Sequence, residues 1–363
     1  MQIDKWNPLE NEMFQVMNEQ GEIVDPDNMP EITEEDIRTL YTTMQKSRVI
    51  DEIALSLQRQ GRMLTYAPNI GQEAAQVGSA FALRKTDWGV SAFRELGMWL
   101  IKGWPVEKIL QYWYGNEWGS HMDEDNRLLP VSVPIASQYQ HAVGIGMATR
   151  LREEDDVAMA YIGDGGTSQG DFHEALNFAG VYKTPTVFVI QNNQYAISVP
   201  RKMQTASENL AMKAIAYGIP GIYVDGNDVF AMLTASQKAV SYARETGPVL
   251  LEAYTYRMGA HTTSDDPTKY RTDDDVEPWK EKDPILRLER YMLAEGLLKE
   301  DEIEPMIEKM KEEVMDAYRS IENSSDTELE DIFKYQYAEM TPQLTEQLEE
   351  YRAFLEGAES NGK

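Results

Sequence analysis

Two short polar motifs follow apolar runs in the middle of the chain. Gly163-Asp164-Gly165 comes directly after the apolar residues 157–162, and Asn192-Asn193 comes after the apolar residues 186–190, with 26 residues between the motifs. Carboxylate and amide oxygens are the ligands that a small hard cation such as Mg²⁺ takes, together with the oxygens of bound phosphates. The two motifs therefore predict a site for a cation and a diphosphate.

The residues between the motifs predict a helix, because apolar side chains recur there at helical spacing. They are Phe172, Leu176, Ala179 and Val181. The resulting strand–helix–strand unit of about thirty residues has the size of a βαβ crossover, which leaves its two strands parallel. Asp164 and Asn193 should then meet at the carboxyl edge of the sheet, where open α/β folds bind ligands.

The start of this helix is a second signal for a diphosphate. A helix that begins near Thr167 would direct its free N–H groups and the positive end of its dipole towards an anion. Ser168 and Asp171 have the spacing of a capping box, which would fix that start. We therefore expect the diphosphate to lie at the N-terminus of this helix.

Neither motif is specific by itself. Gly-Asp-Gly is common turn chemistry, and Asn192-Asn193 could also be only a turn. The residue three after Gly165 is Ser168, so the G-x-G-x-x-G dinucleotide motif is not met, and no G-x-x-x-x-G-K-S/T phosphate loop occurs. The prediction depends on the combination of the two motifs, each of which ends an apolar strand.

Composition argues against several function classes. The chain has 363 residues, 42% of them hydrophobic, and a net charge of −28 from 62 acidic and 34 basic residues. So acidic a protein is not expected to bind nucleic acid or an anionic membrane through bulk electrostatics. It has no cysteine for disulfides or thiol chemistry, no signal peptide pattern and no apolar run near the ~18 residues of a membrane span. We expect a soluble, cytoplasmic protein.

The order of strand-like and helix-like segments predicts an α/β fold, with a mostly parallel sheet flanked by helices. Further strands are predicted at 221–224 and 249–256, a loop at 86–94 and irregular structure at 115–134. Helices are predicted at 33–60, with Thr33 and Asp36 as a capping box, and at 71–83, 95–102, 105–114, 138–151, 206–217, 228–244, 283–296, 301–320 and 342–356. We expect an N-terminal arm at 1–32, an α/β domain at 33–275 and a C-terminal helical extension of the same unit at 276–363.

Longer stretches of the sequence resemble one enzyme family. They are QRQGR at 58–62, GQEA at 71–74, the segment 163–180, QNNQYAIS at 191–198, VDGNDVFA at 224–231, the segment 256–271 and WKEKDP at 279–284. Gly-Asp-Gly, 26 residues and Asn-Asn together resemble the thiamine diphosphate motif. Over about residues 12–355 the chain is similar to the alpha subunit of the decarboxylating component of heterotetrameric 2-oxo acid dehydrogenases.

The resemblance implies a thiamine diphosphate-binding fold and roles for individual residues. The matching positions are Asp164, Asn193 and the Tyr195 backbone carbonyl for Mg²⁺, with Asn193 also facing the cofactor, and Gly163, Gly165, Gly166 and Arg94 for the diphosphate. Phe93 stands where the family usually has tyrosine, so any hydrogen bond from that hydroxyl is missing.

Other matches surround the organic part of the cofactor. Ile135 matches the bulky residue that supports the bent cofactor, and the backbone of Val133 lies where the aminopyrimidine is held. Arg257 and His261 match the cofactor-facing residues of an active-site loop, in which His261 would stabilise the charged substrate or intermediate. A structural K⁺ site of branched-chain members is matched by Ser132, Pro134, Ser137 and Gln138.

The chain has four histidines, and their sequence contexts differ. His141 and His173 lie on predicted helices, where packing or surface roles are expected, and His121 lies in an irregular segment with its role left open. His261 follows a predicted strand, in a loop rich in small and hydroxyl residues. From the residues alone, it is the best catalytic candidate, although a loop histidine is as often a surface residue.

The resemblance also implies partners. In this family, the glutamate that activates the aminopyrimidine comes from a separate beta subunit, so the chain would form half of an active site in an α2β2 heterotetramer. The acyl group made from a small 2-oxo acid would pass to a lipoyl group on an acyltransferase core. Thr262 stands where mitochondrial relatives have a phosphorylated serine, which argues against that regulation here.

Different motifs of the chain resemble family members with different substrates. GQEA, TSQGDF and DDPTKYR favour a pyruvate type, whereas YGN, RELG, PIAS and DGNDVFA favour a branched-chain type. We expect pyruvate, with a branched-chain 2-oxo acid as the alternative. A subunit of acetoin dehydrogenase is a second alternative, and a non-enzymatic α/β binding protein, in which both polar motifs are only turns, is a third.

Overall fold

The computed structural model describes residues 7–322 and 328–361. Residues 1–6 of the predicted arm, and residues 323–327 and 362–363 of the predicted extension, lie outside the described ranges. The chain divides into two compact units, Met1–Tyr318 and Arg319–Lys363. The candidate site lies wholly within the larger unit.

The larger unit is built on a five-stranded sheet in which all neighbouring strands are parallel. Its strands are β1 (Trp88–Val90), β2 (Ala158–Gly163), β3 (Thr186–Asn192), β6 (Gly221–Asp225) and β7 (Val249–Tyr254), in the spatial order β1-β2-β3-β7-β6. Two short strands, β4 (Tyr195–Ala196) and β5 (Val199–Pro200), form a separate antiparallel hairpin. The predicted α/β class with a mostly parallel sheet is confirmed.

Helices lie on both sides of this sheet, and further helices follow the last strand in the sequence. They are α1 (Glu34–Arg59), α2 (Glu73–Ala80), α3 (Leu96–Ile101), α4 (Val106–Tyr114), α5 (Ser137–Leu151), α6 (Gly170–Tyr182), α7 (Val229–Glu245), α8 (Asp273–Lys280), α9 (Pro284–Ala294), α10 (Glu300–Glu322), α11 (Asp331–Lys334) and α12 (Pro342–Asn361). The capping box predicted for α1 is present, since Asp36 N donates to Thr33 Oγ1 at 3.1 Å and Thr33 N donates to Asp36 Oδ2 at 2.9 Å.

The strand–helix–strand unit predicted at the centre of the chain is also present. Strands β2 and β3 are parallel, with Gly163 opposite Gln191, so the two polar motifs do lie at the same edge. Alternate residues of β2 face opposite sides of the sheet. Ala160 and Ile162 pack into a buried cluster with α5 and α6, whereas the Tyr161 hydroxyl lies 2.9 Å from Ser79 Oγ on α2.

An added methyl group should have opposite effects on stability at two helical glycines of the larger unit, Gly78 and Gly144. A Cβ on Gly78 of α2 would lie 2.9 Å from the Val229 carbonyl oxygen, while a Cβ on Gly144 of α5 would meet nothing within 4 Å. We expect Gly78→Ala to destabilise the chain by about 1–3 kcal/mol through overpacking. Gly144→Ala should stabilise it by about 0.5–1 kcal/mol through helix propensity. Denaturant unfolding of the isolated chain tests both, and equal effects would contradict the packing described here.

The predicted start of α6 is wrong. Residues Asp164–Ser168 form a 3-10 turn, Gln169 is extended, and α6 begins at Gly170 without a side-chain cap. The Asp171 carboxylate accepts instead from Gln140 Nε2 at 3.1 Å, on the neighbouring helix α5. Ser168 and Asp171 therefore do not form a capping box, because the chain must first turn away from the end of β2.

Other differences between the predicted and the observed elements have local causes. Val181 is 66% exposed, because residues two apart on a helix cannot share a face and Ala179 occupies the buried one. The helix predicted at 206–217 is a 3-10 segment, Ala211–Tyr217. Strand β1 lies in the predicted loop, and α8 and the β4–β5 hairpin were not predicted; each is too short to show a clear period.

The described part of the N-terminal arm lies along the edge strand β6. Phe14 N donates to Tyr223 O at 2.8 Å, and Asp225 N donates to Phe14 O at 3.0 Å. The Asp228 carboxylate accepts from Val16 N and Met17 N, each at 2.7 Å. The arm therefore pairs with the sheet through its backbone rather than through a helix or strand of its own.

Among the helices in the described ranges, none has the length and apolar character that crossing a membrane requires.

Candidate active site

A cavity of about 280 Å³ lies at the carboxyl edge of the sheet, beyond the ends of β2 and β3. Eleven of the twelve residues that the family resemblance assigns to the site line it: Phe93, Arg94, Ile135, Gly163, Asp164, Gly165, Gly166, Asn193, Tyr195, Arg257 and His261. Val133 is not among the lining residues, and its side chain is 57% exposed. Five parts of the chain, separated by as many as 168 positions (Phe93 to His261), therefore meet at one place.

Three oxygen atoms converge on one side of the cavity. The Asn193 Oδ1 atom lies 3.1 Å from the Tyr195 carbonyl oxygen and 3.2 Å from Asp164 Oδ1. Its amide nitrogen donates in the opposite direction, to Gln72 Oε1 at 2.9 Å. Oxygens this close, with no proton between them, repel one another unless a cation lies among them. Neighbouring oxygens around an octahedral Mg²⁺ are ~2.9 Å apart, so the spacing fits this ion.

The chemistry of these three donors narrows the kind of cation. Asp164 supplies the one carboxylate, and its Oδ2 atom accepts from Gln204 Nε2 at 2.9 Å. Within residues 7–322 and 328–361, no group of three or more His, Cys, Asp or Glu side chains is arranged to hold a metal ion. A site with one carboxylate, one amide and one carbonyl oxygen leaves positions for phosphate oxygens and water, as Mg²⁺ sites do.

Glycines let the backbone come close to a ligand beside this oxygen group. A Cβ on Gly163 would meet nothing within 4 Å, so its backbone faces the open cavity. A Cβ on Gly165 would lie 2.5 Å from Ala196 Cβ, and one on Gly166 would lie 2.3 Å from Ile162 Cδ1. The turn after β2 is thus packed on one side and open on the other, where a phosphate group can lie against the backbone.

Two buried guanidinium groups lie across the cavity. Arg94 and Arg257 are almost completely buried, and Arg257 Nε has no hydrogen-bond partner among the described residues. Burial and the charge of Arg257 lower the pKa of Arg94 to about 10. Two buried positive charges that repel each other, one with an unpaired N–H, create a strong preference for an anion, and guanidinium groups bind phosphate oxygens in pairs.

His261 lies between these two arginines. Its Nδ1 atom is 3.2 Å from Arg94 Nη2 and 3.4 Å from Arg257 Nη1. A guanidinium can only donate, so Nδ1 must accept, and the ring proton must be on Nε2. Burial, followed by the charges of Arg94 and Arg257, lowers the pKa of His261 to about 3. The ring is therefore neutral and presents an N–H donor.

The loop that carries His261 is held by hydrogen bonds within itself. Asp265 Oδ2 accepts from His261 N at 2.9 Å and also from the Tyr270 hydroxyl. Tyr270 in turn accepts from Arg257 Nη2 at 3.1 Å. Arg271 donates to three backbone carbonyls of residues 257–259. These contacts fix the ring of His261 against the arginines.

The depressed pKa of His261 has a consequence for pH dependence. The unfolded chain binds a proton on this histidine below about pH 6.5, whereas the folded chain does so only near pH 3. Folded stability should therefore decrease as pH falls through this window, and His261→Gln should weaken that dependence. Nitrogen NMR of labelled histidine at pH 6 should show His261 as the Nε2–H form. A charged ring at that pH would contradict the assignment.

Several polar residues in and behind the cavity wall were not predicted from the sequence. Gln191 Nε2 donates to Glu95 Oε1 at 2.9 Å, and Gln76 Nε2 donates to Gln191 Oε1 at 2.9 Å. Burial raises the pKa of Glu95 to about 7. Gln72 contacts Asn193, as described above. The fold brings these residues together from α2, the start of α3 and β3. GQEA includes Gln72 and QNNQYAIS includes Gln191, but neither motif shows which partners they contact.

The four residues of the predicted K⁺ site are neighbours. Ser137 Oγ lies 2.7 Å from Ser132 Oγ and donates to Pro134 O at 2.8 Å. Gln138 Nε2 donates to Tyr161 O at 2.8 Å, and its buried Oε1 has no partner in the described part of the chain. The Ser132 and Ser137 hydroxyl groups are hydrogen-bonded, to each other and to Pro134 O. Among these four residues, only the Gln138 side-chain oxygen is therefore left to bind a further ligand.

The other three histidines lie outside the cavity lining. His141 is exposed on α5, and the His173 ring contacts the Tyr217 hydroxyl. His121 packs edge-on against Trp118. Of the four histidines, His261 alone faces the cavity among the described residues.

The chain matches a known protein family over most of its length. A model of the dehydrogenase E1 component family matches residues 41–330 of the chain. The chain belongs to this family. The family predicted from the sequence motifs is thereby confirmed.

Individual E1 relatives match almost the whole chain. It is 46% identical to a protein named pyruvate dehydrogenase E1 component subunit alpha from Acholeplasma laidlawii, over 94% of this chain and 99% of the relative. It is 41% identical to a protein of the same name from Mycoplasma genitalium, over 94% and 96%. A protein named 3-methyl-2-oxobutanoate dehydrogenase subunit alpha, from Mycobacterium tuberculosis, is 44% identical over 92% and 94%.

Proposed function

We propose that this chain is the alpha subunit of a pyruvate dehydrogenase (acetyl-transferring) E1 component that uses thiamine diphosphate and Mg²⁺. The observation that carries the proposal is the convergence of three acceptor oxygens and two buried guanidinium groups in one cavity of an E1 family member. The oxygens suit Mg²⁺, and the guanidinium groups suit the diphosphate. The reaction is the oxidative decarboxylation of a 2-oxo acid, with transfer of the acyl group to a lipoyl disulfide.

The inorganic end of the cofactor would be held by residues that the structure brings together. Asp164, Asn193 and the Tyr195 carbonyl would bind Mg²⁺. The open backbone of Gly163 and the turn through Gly165 and Gly166 would contact phosphate oxygens, together with Arg94 and Arg257. The aromatic ring of Phe93, which lies 5.5 Å from the Arg94 guanidinium carbon, would shield this ion pair without contributing a hydroxyl.

The reacting end of the cavity would be organised by Ile135 and His261. Thiamine diphosphate, when bound, supplies the nucleophilic carbon and the electron sink for decarboxylation. Ile135 reaches into the cavity beside Gly166 and would support the bent shape of the cofactor, while the Val133 backbone would hold its aminopyrimidine. His261 Nε2–H would donate to the carboxylate or the developing oxyanion of the substrate, since its Nδ1 is occupied by the arginines.

The rim of the cavity supports a beta subunit as partner. Ile135 and Ile197 line the cavity and are still about half exposed, and Val199 and Met203 are exposed beyond them. Exposed apolar residues that cluster around a site mark an interaction surface. A beta subunit in an α2β2 heterotetramer would cover this rim and supply the glutamate that activates the aminopyrimidine. The lipoyl-bearing acyltransferase core and a cytoplasmic location belong to the same proposal.

Pyruvate is proposed over branched-chain substrates because relatives named for pyruvate include the match at 46% identity. The relative named for 3-methyl-2-oxobutanoate, at 44%, makes the branched-chain acid the second candidate. The test is steady-state decarboxylation by the chain co-expressed with its beta subunit, comparing kcat/KM for pyruvate and 3-methyl-2-oxobutanoate. A preference for the branched acid would overturn the substrate assignment.

Two further controls belong to the same preparation. Acetoin turnover with dye reduction, in excess over pyruvate turnover, would assign the chain to an acetoin dehydrogenase. Calorimetry with thiamine diphosphate and Mg²⁺ tests cofactor binding directly. If the complex binds neither, the two polar motifs are only turns, and the chain is a non-enzymatic binding protein. Retention of one K⁺ after dialysis, and its loss in Gln138→Leu, would support the K⁺ site.

A further inference from the structure

The orientation of the Asn193 amide decides whether an oxygen or an N–H group faces the cation site. The oxygen and nitrogen of an amide are nearly the same size, so hydrogen bonds select between the two orientations. Two neighbours of the Asn193 amide, the Tyr195 carbonyl at 3.1 Å and Asp164 Oδ1 at 3.2 Å, are acceptors that would favour the nitrogen. Gln72 Oε1, which accepts from Asn193 Nδ2 at 2.9 Å, favours the orientation with Oδ1 towards those two neighbours.

Gln72 is itself fixed by buried neighbours. It is 0% exposed, directly before α2, and its Nε2 lies 3.4 Å from Asn69 O. Asn69 is held in turn by the buried carboxylate of Asp51, which accepts from Asn69 N at 2.5 Å and from Asn69 Nδ2 at 3.2 Å. The acceptor that faces Asn193 is therefore set in place by a chain of contacts that leads to α1.

We propose that Gln72 is a positioning residue that holds the Asn193 amide with its oxygen towards Mg²⁺. This inference rests on the proposed function, because it requires a cation between Asp164 and Asn193. Without an acceptor at position 72, the buried Nδ2–H group would have no partner on that side, and the amide would turn to donate to Tyr195 O and Asp164 Oδ1. An N–H group would then occupy the place of a metal ligand.

The first test compares two substitutions at position 72 in the complex with the beta subunit. Gln72→Met keeps the length of the side chain and removes the strong acceptor, and Gln72→Glu keeps an acceptor oxygen. Mn²⁺ is titrated in place of Mg²⁺ at saturating thiamine diphosphate, and free Mn²⁺ is measured by electron paramagnetic resonance. Gln72→Met should raise the Mn²⁺ Kd about ten- to a hundredfold, as losses behind metal ligands do. Gln72→Glu should bind Mn²⁺ at least as tightly as the parent.

The second test removes the need for orientation. Asn193→Asp places an oxygen at both ends of the side chain, so position 72 no longer determines which atom faces the cation. In that background, Gln72→Met should change the Mn²⁺ Kd by less than about threefold, although it does so strongly in the parent. A purely structural role of Gln72 would give the same loss in both backgrounds, since the packing around position 72 is the same.

The outcomes separate this inference from the function on which it rests. If the parent complex binds neither Mn²⁺ nor thiamine diphosphate, the proposed function fails. If the parent binds both and Gln72→Met binds Mn²⁺ equally well, or loses affinity equally in the Asn193→Asp background, the positioning role is wrong. Should Gln72→Met not assemble, Gln72→Glu decides: weaker Mn²⁺ binding than the parent would refute the role of an acceptor.

Discussion

Asp164→Ala is expected to weaken Mg²⁺-dependent binding of thiamine diphosphate by about a thousandfold, ~4 kcal/mol. Asp164 is the one carboxylate in the group of three oxygens, so its loss removes the negative charge from that group. The neutral oxygens of Asn193 and Tyr195 would remain. Calorimetric titration of the α2β2 complex with the cofactor, at several Mg²⁺ concentrations, measures the change.

Asp171→Ala is the matched control for this prediction. Asp171 lies seven positions later, in the first turn of α6, and its carboxylate accepts from Gln140 on the outer side of the helix pair. Removal of this carboxylate changes the net charge by the same amount and should leave the cofactor affinity within about threefold, because exposed charges are strongly screened. A comparable loss in both variants would mean that overall charge, rather than ligation by Asp164, controls binding.

His261→Ala is expected to lower kcat by about a hundred- to a thousandfold, the usual cost of losing one preorganised donor. The ring is oriented by Arg94 and Arg257 and is neutral, so its Nε2–H group can stabilise negative charge that develops on the substrate. The Kd of thiamine diphosphate should change much less than kcat, because both arginines remain. Single-turnover decarboxylation with the complex separates the chemical step from binding.

His141→Ala provides the control for the histidine. His141 lies on the exposed face of α5, outside the cavity lining, so its removal should leave kcat unchanged. A reduced cofactor affinity in His261→Ala with an unchanged rate per bound cofactor would show that His261 supports the arginines rather than the reaction.

The sequence predicted those parts of the fold that have a clear period. The parallel crossover from β2 to β3 follows from two apolar runs and a helical segment of the right length, and the α1 capping box follows from Thr33 and Asp36. The start of α6 could not be predicted in this way. Its position depends on the 3-10 turn Asp164–Ser168, which local propensity does not distinguish from a first helical turn.

The candidate site was predictable to the extent that single residues carry the chemistry. Asp164, Asn193 and His261 could be selected from motif and context, and family resemblance extended the set to Arg94 and Ile135. What could not be predicted is how these residues influence one another. The tautomer of the histidine and the direction of the Asn193 amide depend on neighbours that are distant in sequence and contact them only through the fold.

The N-terminal arm has a consequence for the order of folding. Its backbone covers the free edge of β6, and edges left open are sites of intermolecular strand pairing. The carboxylate of Asp228 that holds Val16 and Met17 lies 212 and 211 positions later in the chain. Because Asp228 lies so far along the chain from Val16 and Met17, the arm can dock only after most of the sheet has been made, and contacts of such long range form slowly. Until then, the growing sheet has an unprotected edge.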